Sequence, residues 1–135
     1  MKIAVLTSVS GSFELPIKPV FYCDAIKYFI FVDDPLISCR HLEGWEVLQI
    51  PSTTHYTKYV GRRRAKQAKV LAPFLLPGFD AYVWLDPYCS FREPLLDKLL
   101  DHMDSGYDFL VFKHRYRNTV YQEFKALWMT DKESK

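Results

Sequence analysis

The sequence predicts an α/β fold, a single compact domain with a mixed, mostly parallel sheet flanked by helices. Its 135 residues are enough for one hydrophobic core. Apolar residues make up 49% and charged residues 25%, the balance of a globular chain and not of a disordered one. Short, wholly apolar runs alternate with helical patterns, which favours parallel strands covered on both faces.

The first half of the chain supplies three predicted strands. Residues 3–6 form a continuous apolar run that ends in Thr7 and Ser8, as expected for a strand buried on both faces. Two prolines and a glycine make residues 10–25 an irregular connection. Further apolar runs predict strands at 28–32 and 45–50.

The second half alternates helices and strands. A helix over 62–72 places Arg62, Lys66 and Lys69 on one face at 100° per residue. Three apolar side chains lie roughly opposite: Ala68, Leu71 and Leu75. The remaining predicted elements are a strand at 81–85, a helix that starts at Glu93 and is stopped by Gly106, a strand at 108–112 and a helix capped by Asn118. The predicted domain covers residues 1–128, and a polar tail covers residues 129–135.

Composition excludes several classes of protein. Cys23, Cys39 and Cys89 are odd in number and have no CxxC spacing, which supports neither a disulfide framework nor a zinc site. No segment approaches the roughly 20 apolar residues of a membrane helix, and the first apolar run is too short for a signal peptide. We therefore expect a soluble, cytoplasmic domain without a membrane segment.

The first strand lacks the glycines of a dinucleotide site. A dinucleotide-binding fold needs G-x-G-x-x-G after that strand, whereas residues 7–12 read Thr-Ser-Val-Ser-Gly-Ser, with one glycine. The same segment lacks a P-loop. NAD binding and P-loop chemistry are both disfavoured.

Asp86 is the strongest candidate functional residue. It follows the apolar run 83–85 and precedes Pro87, at the strand end where open α/β sheets bind ligands. A carboxylate there suits Mg²⁺ or Mn²⁺ bridging a diphosphate. The alternative is an aspartate that caps the turn at Pro87.

Other polar side chains are weaker candidates, each with a structural alternative. Asp33 and Asp34 suit ribose hydroxyls, although Asp-Asp-Pro is also an ordinary turn. The Arg62, Lys66 and Lys69 face and the cluster around Lys113 can hold an anion or be solvated surface. His114 is a candidate metal or phosphate ligand, and Glu123 a catalytic candidate, with polar surface the alternative for both.

Three segments taken together carry a resemblance. They are Arg62-x-x-x-Lys66-x-x-Lys69, the run from Pro77 to Asp86, and Phe112-Lys113-His114-Arg115. They resemble GT-A type glycosyltransferases, which have a Rossmann-like sheet. Trp84-Leu85-Asp86-Pro87, Lys113-His114 and Val120-Tyr121-Gln122-Glu123 look like the glycosyltransferase-like family in which a Trp-Ile-Asp-Gly type segment replaces Asp-x-Asp, over roughly residues 1 to 128.

The resemblance implies a function and a set of roles. It implies transfer of a glycosyl group from a nucleoside diphosphate sugar, with Mn²⁺ or Mg²⁺, to a glycan, protein or small-molecule acceptor. Thr7 and Ser8 would lie against the nucleotide and Asp33 or Asp34 near base or ribose. Lys66 and Lys69 would lie near the diphosphate, and Asp86 near the metal.

Two alternatives stay open at this point. Position 88 is Tyr where a second carboxylate is expected, and relatives continue into a segment that completes the acceptor site, so nucleotide-sugar binding without turnover is the first alternative. A small RNA-binding or scaffold protein that uses the basic clusters and Tyr116 is the second. The net charge of only +2 disfavours it, and no nucleic acid partner is expected.

Overall fold

A computed structural model describes residues 1–9, 16–33, 42–50, 60–113 and 115–129. In chain order its elements are β1 (Ile3–Val9), β2 (Ile26–Val32), β3 (Glu46–Gln49), α1 (Val60–Leu75), β4 (Ala81–Trp84), α2 (Glu93–Asp104) and α3 (Val120–Met129). Over these ranges, no helix is long and apolar enough to cross a membrane. The chain divides into two compact units, unit 1 (Met1–Leu96) and unit 2 (Asp97–Lys135). The predicted limits, 1–128 and 129–135, stay a prediction.

The four described strands form one sheet in the order β3-β2-β1-β4, with every neighbouring pair parallel. This confirms the predicted α/β class and its parallel sheet; the antiparallel strand that a mixed sheet implies is not among the described strands. Parallel strands end at the same side of a sheet. We call that side the carboxyl edge.

β1 occupies the interior of the sheet, and all seven of its residues are buried. The sequence predicts a strand over 3–6, but pairing with β2 continues as far as Val9 opposite Val32. If β1 ended at Leu6, the backbone groups of the paired β2 residues beyond that point would lose their hydrogen-bond partners. Thr7 and Ser8 therefore remain in the strand despite their polar side chains. Both are therefore strand residues and not the start of a loop.

One face of the sheet packs against α1, and we call it the α1 face. Ala68 and Ala72 are buried there against a cluster formed by Ala4, Leu6, Phe29, Phe31 and Ile50. Of the three apolar side chains opposite the lysine face, Ala68 is buried, whereas Leu71 is half-buried and Leu75 is exposed. Alanine side chains are small and let the helix lie close to the sheet. The side of α1 that contacts the sheet is therefore centred on Ala68 and Ala72, nearer to the lysine face than Leu71 and Leu75 are.

α1 runs past Pro73 to Leu75, three residues beyond the predicted range of 62–72. A residue that precedes proline generally prefers extended backbone. Proline removes one backbone donor, but the amide of Leu76 still donates to the carbonyl of Ala72 at 2.9 Å. Packing against the sheet therefore outweighs the local preference.

The opposite face is covered by aromatic residues, and we call it the aromatic face. The ring of Tyr28 meets Tyr22 and Trp45 edge-on, with centroids 5.7 and 5.4 Å away. The Tyr28 hydroxyl donates to the carbonyl of Phe21. The Trp45 indole Nε1 donates to the carbonyl of Ile17 at 3.1 Å. The aromatic side chains of this face therefore pack against one another.

Gly44 sits in the turn that leads to Trp45, with φ at +84°. That left-handed backbone is easy only for glycine. A Cβ at this position would lie 2.5 Å from the Tyr22 hydroxyl oxygen. The turn and the aromatic face therefore both depend on the missing side chain.

Unit 2 contains most of α2 and all of α3. The strand predicted at 108–112 is wrong: these residues are described, are not in a strand, and are exposed. An apolar run forms a strand only where a neighbouring strand satisfies its backbone. The cap of α3 also differs by one residue from the predicted Asn118, because the Thr119 hydroxyl accepts the Gln122 amide at 3.2 Å.

Candidate functional site

The strand order creates a crevice at the carboxyl edge. From β1 the chain moves to β2 and β3 on one side, and then places β4 on the other side of β1. Open α/β sheets bind ligands where the strand order reverses in this way, outside the carboxyl ends of the strands. The switch point lies between β1 and β4, and the residues at their ends are Thr7, Ser8 and Asp86.

Thr7 and Ser8 lie on opposite faces of the sheet because successive strand residues alternate. Ser8 shares the α1 face with Leu6, whereas Thr7 shares the aromatic face with Val5. Thr7 is fully buried, and its hydroxyl oxygen has no hydrogen-bond partner in the described structure. A buried hydroxyl without a partner is destabilising, so Thr7 is a position where a ligand atom or water would be stabilised.

Asp86 lies in an anchored turn just beyond β4. The amide of Leu85 still donates to the carbonyl of Leu6 at 2.8 Å, and the amide of Cys89 closes the turn onto the carbonyl of Asp86 at 2.8 Å. The buried Pro87 accepts from the Ile17 amide at 2.8 Å. The Asp86 side chain is exposed on this fixed backbone, as a ligand-binding carboxylate requires.

Tyr88 contacts the same carboxylate. Its hydroxyl donates to Asp86 Oδ2 at 3.3 Å, while the ring is largely exposed. This distance is longer than the roughly 2.5–3.0 Å usual between two hydrogen-bonded oxygens, so the contact is weak and uses one carboxylate oxygen. The other carboxylate oxygen keeps its acceptor capacity for a cation or a hydroxyl group.

α1 brings positive charge to this edge. The Tyr82 hydroxyl donates to the carbonyl of Leu76 at 2.7 Å, and Lys69 Nζ lies 5.7 Å from the ring centroid of Trp84. Tyr82 thus lies beside Leu76, at the end of α1, and Trp84 lies beside Lys69, nearer its start. The helix therefore runs antiparallel to β4. Lys66, one turn earlier and about 4.5 Å further along the axis, therefore lies nearer the carboxyl edge than Lys69.

Asp33 marks the other side of β1. It follows Val32, the last residue of β2, and its side chain is half-buried. β2 and β4 flank β1, so the backbones of Asp33 and Asp86 are at least two strand spacings apart, which is about 10 Å or more. Unit 1 therefore brings five predicted side chains to one edge: Thr7, Ser8, Asp33, Lys69 and Asp86, with Lys66 beside them.

The remaining predicted site residues are Asp34, Arg62, Lys113, His114 and Glu123. Asp34 and His114 lie outside the described residues. Arg62 lies in the first turn of α1, but its side chain also falls outside the described part. Lys113, which is exposed, and Glu123, which lies in α3, belong to unit 2. Their part in the site stays a prediction.

Among the described residues, Asp86 together with a bound ligand could hold a divalent cation at this edge. Across the described residues, no three His, Cys, Asp or Glu side chains come together as a metal cage. Mg²⁺ is often held by one or two carboxylates together with substrate phosphates and water, and a single exposed carboxylate meets that pattern. Asp86 would thus hold Mg²⁺ or Mn²⁺ jointly with a bound diphosphate.

Two participants in the site were not predicted from the sequence. The Trp84 ring lies beside Lys69 Nζ, and the Tyr88 hydroxyl contacts Asp86. Strand alternation could have identified Trp84, because the last residue of β4 shares the face of Leu6 and therefore faces α1. The Asp-Pro-Tyr spacing gives no comparable signal for Tyr88.

No family model, curated protein or solved structure matches this chain. The residues at the carboxyl edge are consequently the basis of the functional proposal.

Proposed function

We propose that this chain binds a nucleoside diphosphate sugar at the carboxyl edge and transfers its glycosyl group to an acceptor. One observation carries the proposal: the exposed Asp86 carboxylate and the Lys69 ammonium occupy the same edge, next to the switch point between β1 and β4. A carboxylate for a cation and an ammonium for phosphate oxygens are the two charges that a diphosphate needs. The GT-A resemblance supports the same assignment.

In this proposal each residue has a definite task. Thr7 and Ser8 contact the nucleotide, Asp33 accepts hydrogen bonds from its ribose, and Lys66 and Lys69 hold the diphosphate. Mg²⁺ or Mn²⁺ bound by Asp86 would neutralise charge on the same diphosphate.

The reaction breaks the bond between the sugar carbon and the diphosphate oxygen and joins that carbon to an acceptor oxygen. Negative charge grows on the departing oxygen, and ammonium groups fixed beforehand stabilise it. Asp86 is the proposed catalytic residue of unit 1, and the catalytic role predicted for Glu123 of unit 2 stays a prediction. A chain that binds the donor without transferring the sugar is the alternative within the same fold.

Thermal unfolding with nucleotides tests the donor site. We expect UDP, GDP or one of their sugars to raise the melting temperature in the presence of Mn²⁺, because a ligand of the native state stabilises it by about 2.7 kcal/mol at one hundred times its Kd. Asp86→Ala should abolish the shift. The control Asp24→Ala removes the same charge from the exposed turn before β2, at the opposite edge, and should keep it.

The outcomes separate the competing functions. If a nucleotide sugar raises the melting temperature but no free nucleotide is released during incubation with donors and acceptors, the chain binds the donor without turnover. Absence of any shift, or an equal loss in Asp86→Ala and Asp24→Ala, contradicts the donor site. Salt-sensitive binding of single-stranded RNA that survives Asp86→Ala would support the RNA-binding alternative instead.

A further inference from the structure

We infer that Trp84 is a positioning residue, whose indole ring holds the Lys69 ammonium in place for a diphosphate. The inference rests on the proposed function and adds a residue to it. Lys69 Nζ lies 5.7 Å from the Trp84 ring centroid, inside the roughly 6 Å limit for a cation attracted to an aromatic face. Among aromatic residues, tryptophan attracts cations most strongly.

The ring itself is held on a fixed backbone. Trp84 is the last residue of β4, opposite Leu6 of the fully buried β1. The hydrogen bond from the Leu85 amide to the Leu6 carbonyl continues the pairing beyond it. The Trp84 side chain also packs against the core cluster on the α1 face. The indole is therefore a rigid surface.

The helix supplies the second half of the arrangement. Ala68 and Ala72 bring α1 close to the sheet, and Lys69 follows directly at the border of that contact. A free lysine loses rotamer entropy when it is ordered on a ligand. An ammonium already held by the indole loses less of that freedom on binding.

The indole restrains the ammonium and leaves its donors usable. A lysine ammonium carries three N–H donors, and an aromatic face attracts the charge without being a carbonyl or carboxylate acceptor. Lys69 is exposed, so solvent or a phosphate oxygen can reach these donors. The pair therefore has the properties of a prepared phosphate contact next to Asp86.

Calorimetric titration with inorganic pyrophosphate tests the inference without a sugar or a base. Trp84→Leu should weaken binding about two- to fivefold, the effect of one cation–aromatic contact, and Trp84→Phe should recover part of it. Lys69→Met should weaken binding further. Lys27→Met, at an exposed site of β2 near the amino edge, is the matched charge control and should leave binding unchanged.

The double variant distinguishes positioning from a structural role. If Trp84 acts through Lys69, adding Trp84→Leu to Lys69→Met causes no further loss of affinity. Equal losses from Trp84→Leu in the presence and absence of Lys69 would overturn the inference. So would failure of the wild-type protein to bind pyrophosphate.

A second measurement needs no ligand. The ε-methylene protons of Lys69 should be shifted upfield by the indole ring current in the NMR spectrum, and Trp84→Leu should remove the shift while Trp84→Phe retains part of it. An unshifted wild-type signal would contradict the contact. A different result would separate this inference from the proposed function. If Trp84 and Lys69 are coupled in pyrophosphate binding but no nucleotide sugar binds, the proposed function is refuted and the positioning role of Trp84 is retained.

Discussion

Two apolar segments of this chain form different structures. β1 is apolar at most positions, has a hydrogen-bonded strand on each side, and is buried along its whole length. Residues 109–112 are as apolar, yet they form no strand, and the side chain of Phe112 is 69% exposed. Apolar composition therefore indicates what a segment can bury, and neighbouring backbone determines whether it does.

The same contrast separates the two units. Among the residues whose burial is described, all members of the buried core lie in unit 1, between Ile3 and Phe91. In unit 2, none of the residues whose burial is described is buried, even in α2. Hydrophobic stabilisation scales with the apolar area removed from water, so unit 1 should dominate the free energy of unfolding.

The largest expected effect comes from a matched pair of phenylalanines. Phe31→Ala removes a fully buried ring of the core cluster and should lower the free energy of unfolding by about 3–5 kcal/mol. Phe112→Ala removes an exposed ring and should change it by less than about 0.5 kcal/mol. Urea unfolding followed by circular dichroism measures both. Similar losses from the two variants would show that 109–112 is buried in solution.

Alkaline pH tests whether the aromatic face is sealed. Burial, followed by the neighbouring Tyr22 and Cys23, raises the pKa of Tyr28 from 10.0 to about 12. The neutral phenol is thus favoured in the folded state, so this stabilisation is complete below pH 10 and is lost as the pH rises toward 12. The free energy of unfolding should fall less between pH 10 and 12 in Tyr28→Phe than in the wild type. Parallel pH profiles would indicate a solvated Tyr28.

A smaller effect is expected at the unpartnered hydroxyl of Thr7. Thr7→Val keeps the shape and removes the buried polar oxygen, so the free energy of unfolding should rise by about 1 kcal/mol. Ser8→Ala, on the α1 face, is the control for a polar group in the same strand. A loss of stability in Thr7→Val, measured by urea unfolding, would mean that the hydroxyl is hydrogen-bonded in solution.

The smallest effect should come from the surface of unit 1. Lys18 Nζ and Glu43 Oε1 are 2.6 Å apart, but both side chains are mostly exposed. Water and salt screen such pairs, so Lys18→Met should leave the urea midpoint unchanged within error. This variant defines the baseline for unit 1. A clear, salt-dependent drop would show that the segment around Lys18 contributes more than its exposure suggests.

The sequence predicts the class of the fold because that class depends on local patterns. The apolar runs of β1, β2 and β4 and the helical patterns near Lys66 and Glu93 are readable one segment at a time. Strand order is different, because nothing local states that β4 pairs with β1 and not with β3. The switch point, and with it the place of the site, follows only from the paired structure.

The candidate site shows the same division. Asp86 could be located because it directly follows an apolar run. The contact between Lys69 and Trp84 could not, since it depends on how far α1 rotates against the sheet. The helical pattern places Leu71 and Leu75 opposite the lysines, but it does not show that Ala72 makes the buried contact and so turns the lysines toward β4.

Gly44 has a consequence for how this chain can vary in evolution. The residue is exposed, and exposed turns normally accept many substitutions. Here a replacement must adopt a left-handed backbone and displace the hydroxyl of Tyr22, which packs on Tyr28. In a library of all single substitutions, position 44 should therefore be depleted like a core position, although it lies at the surface.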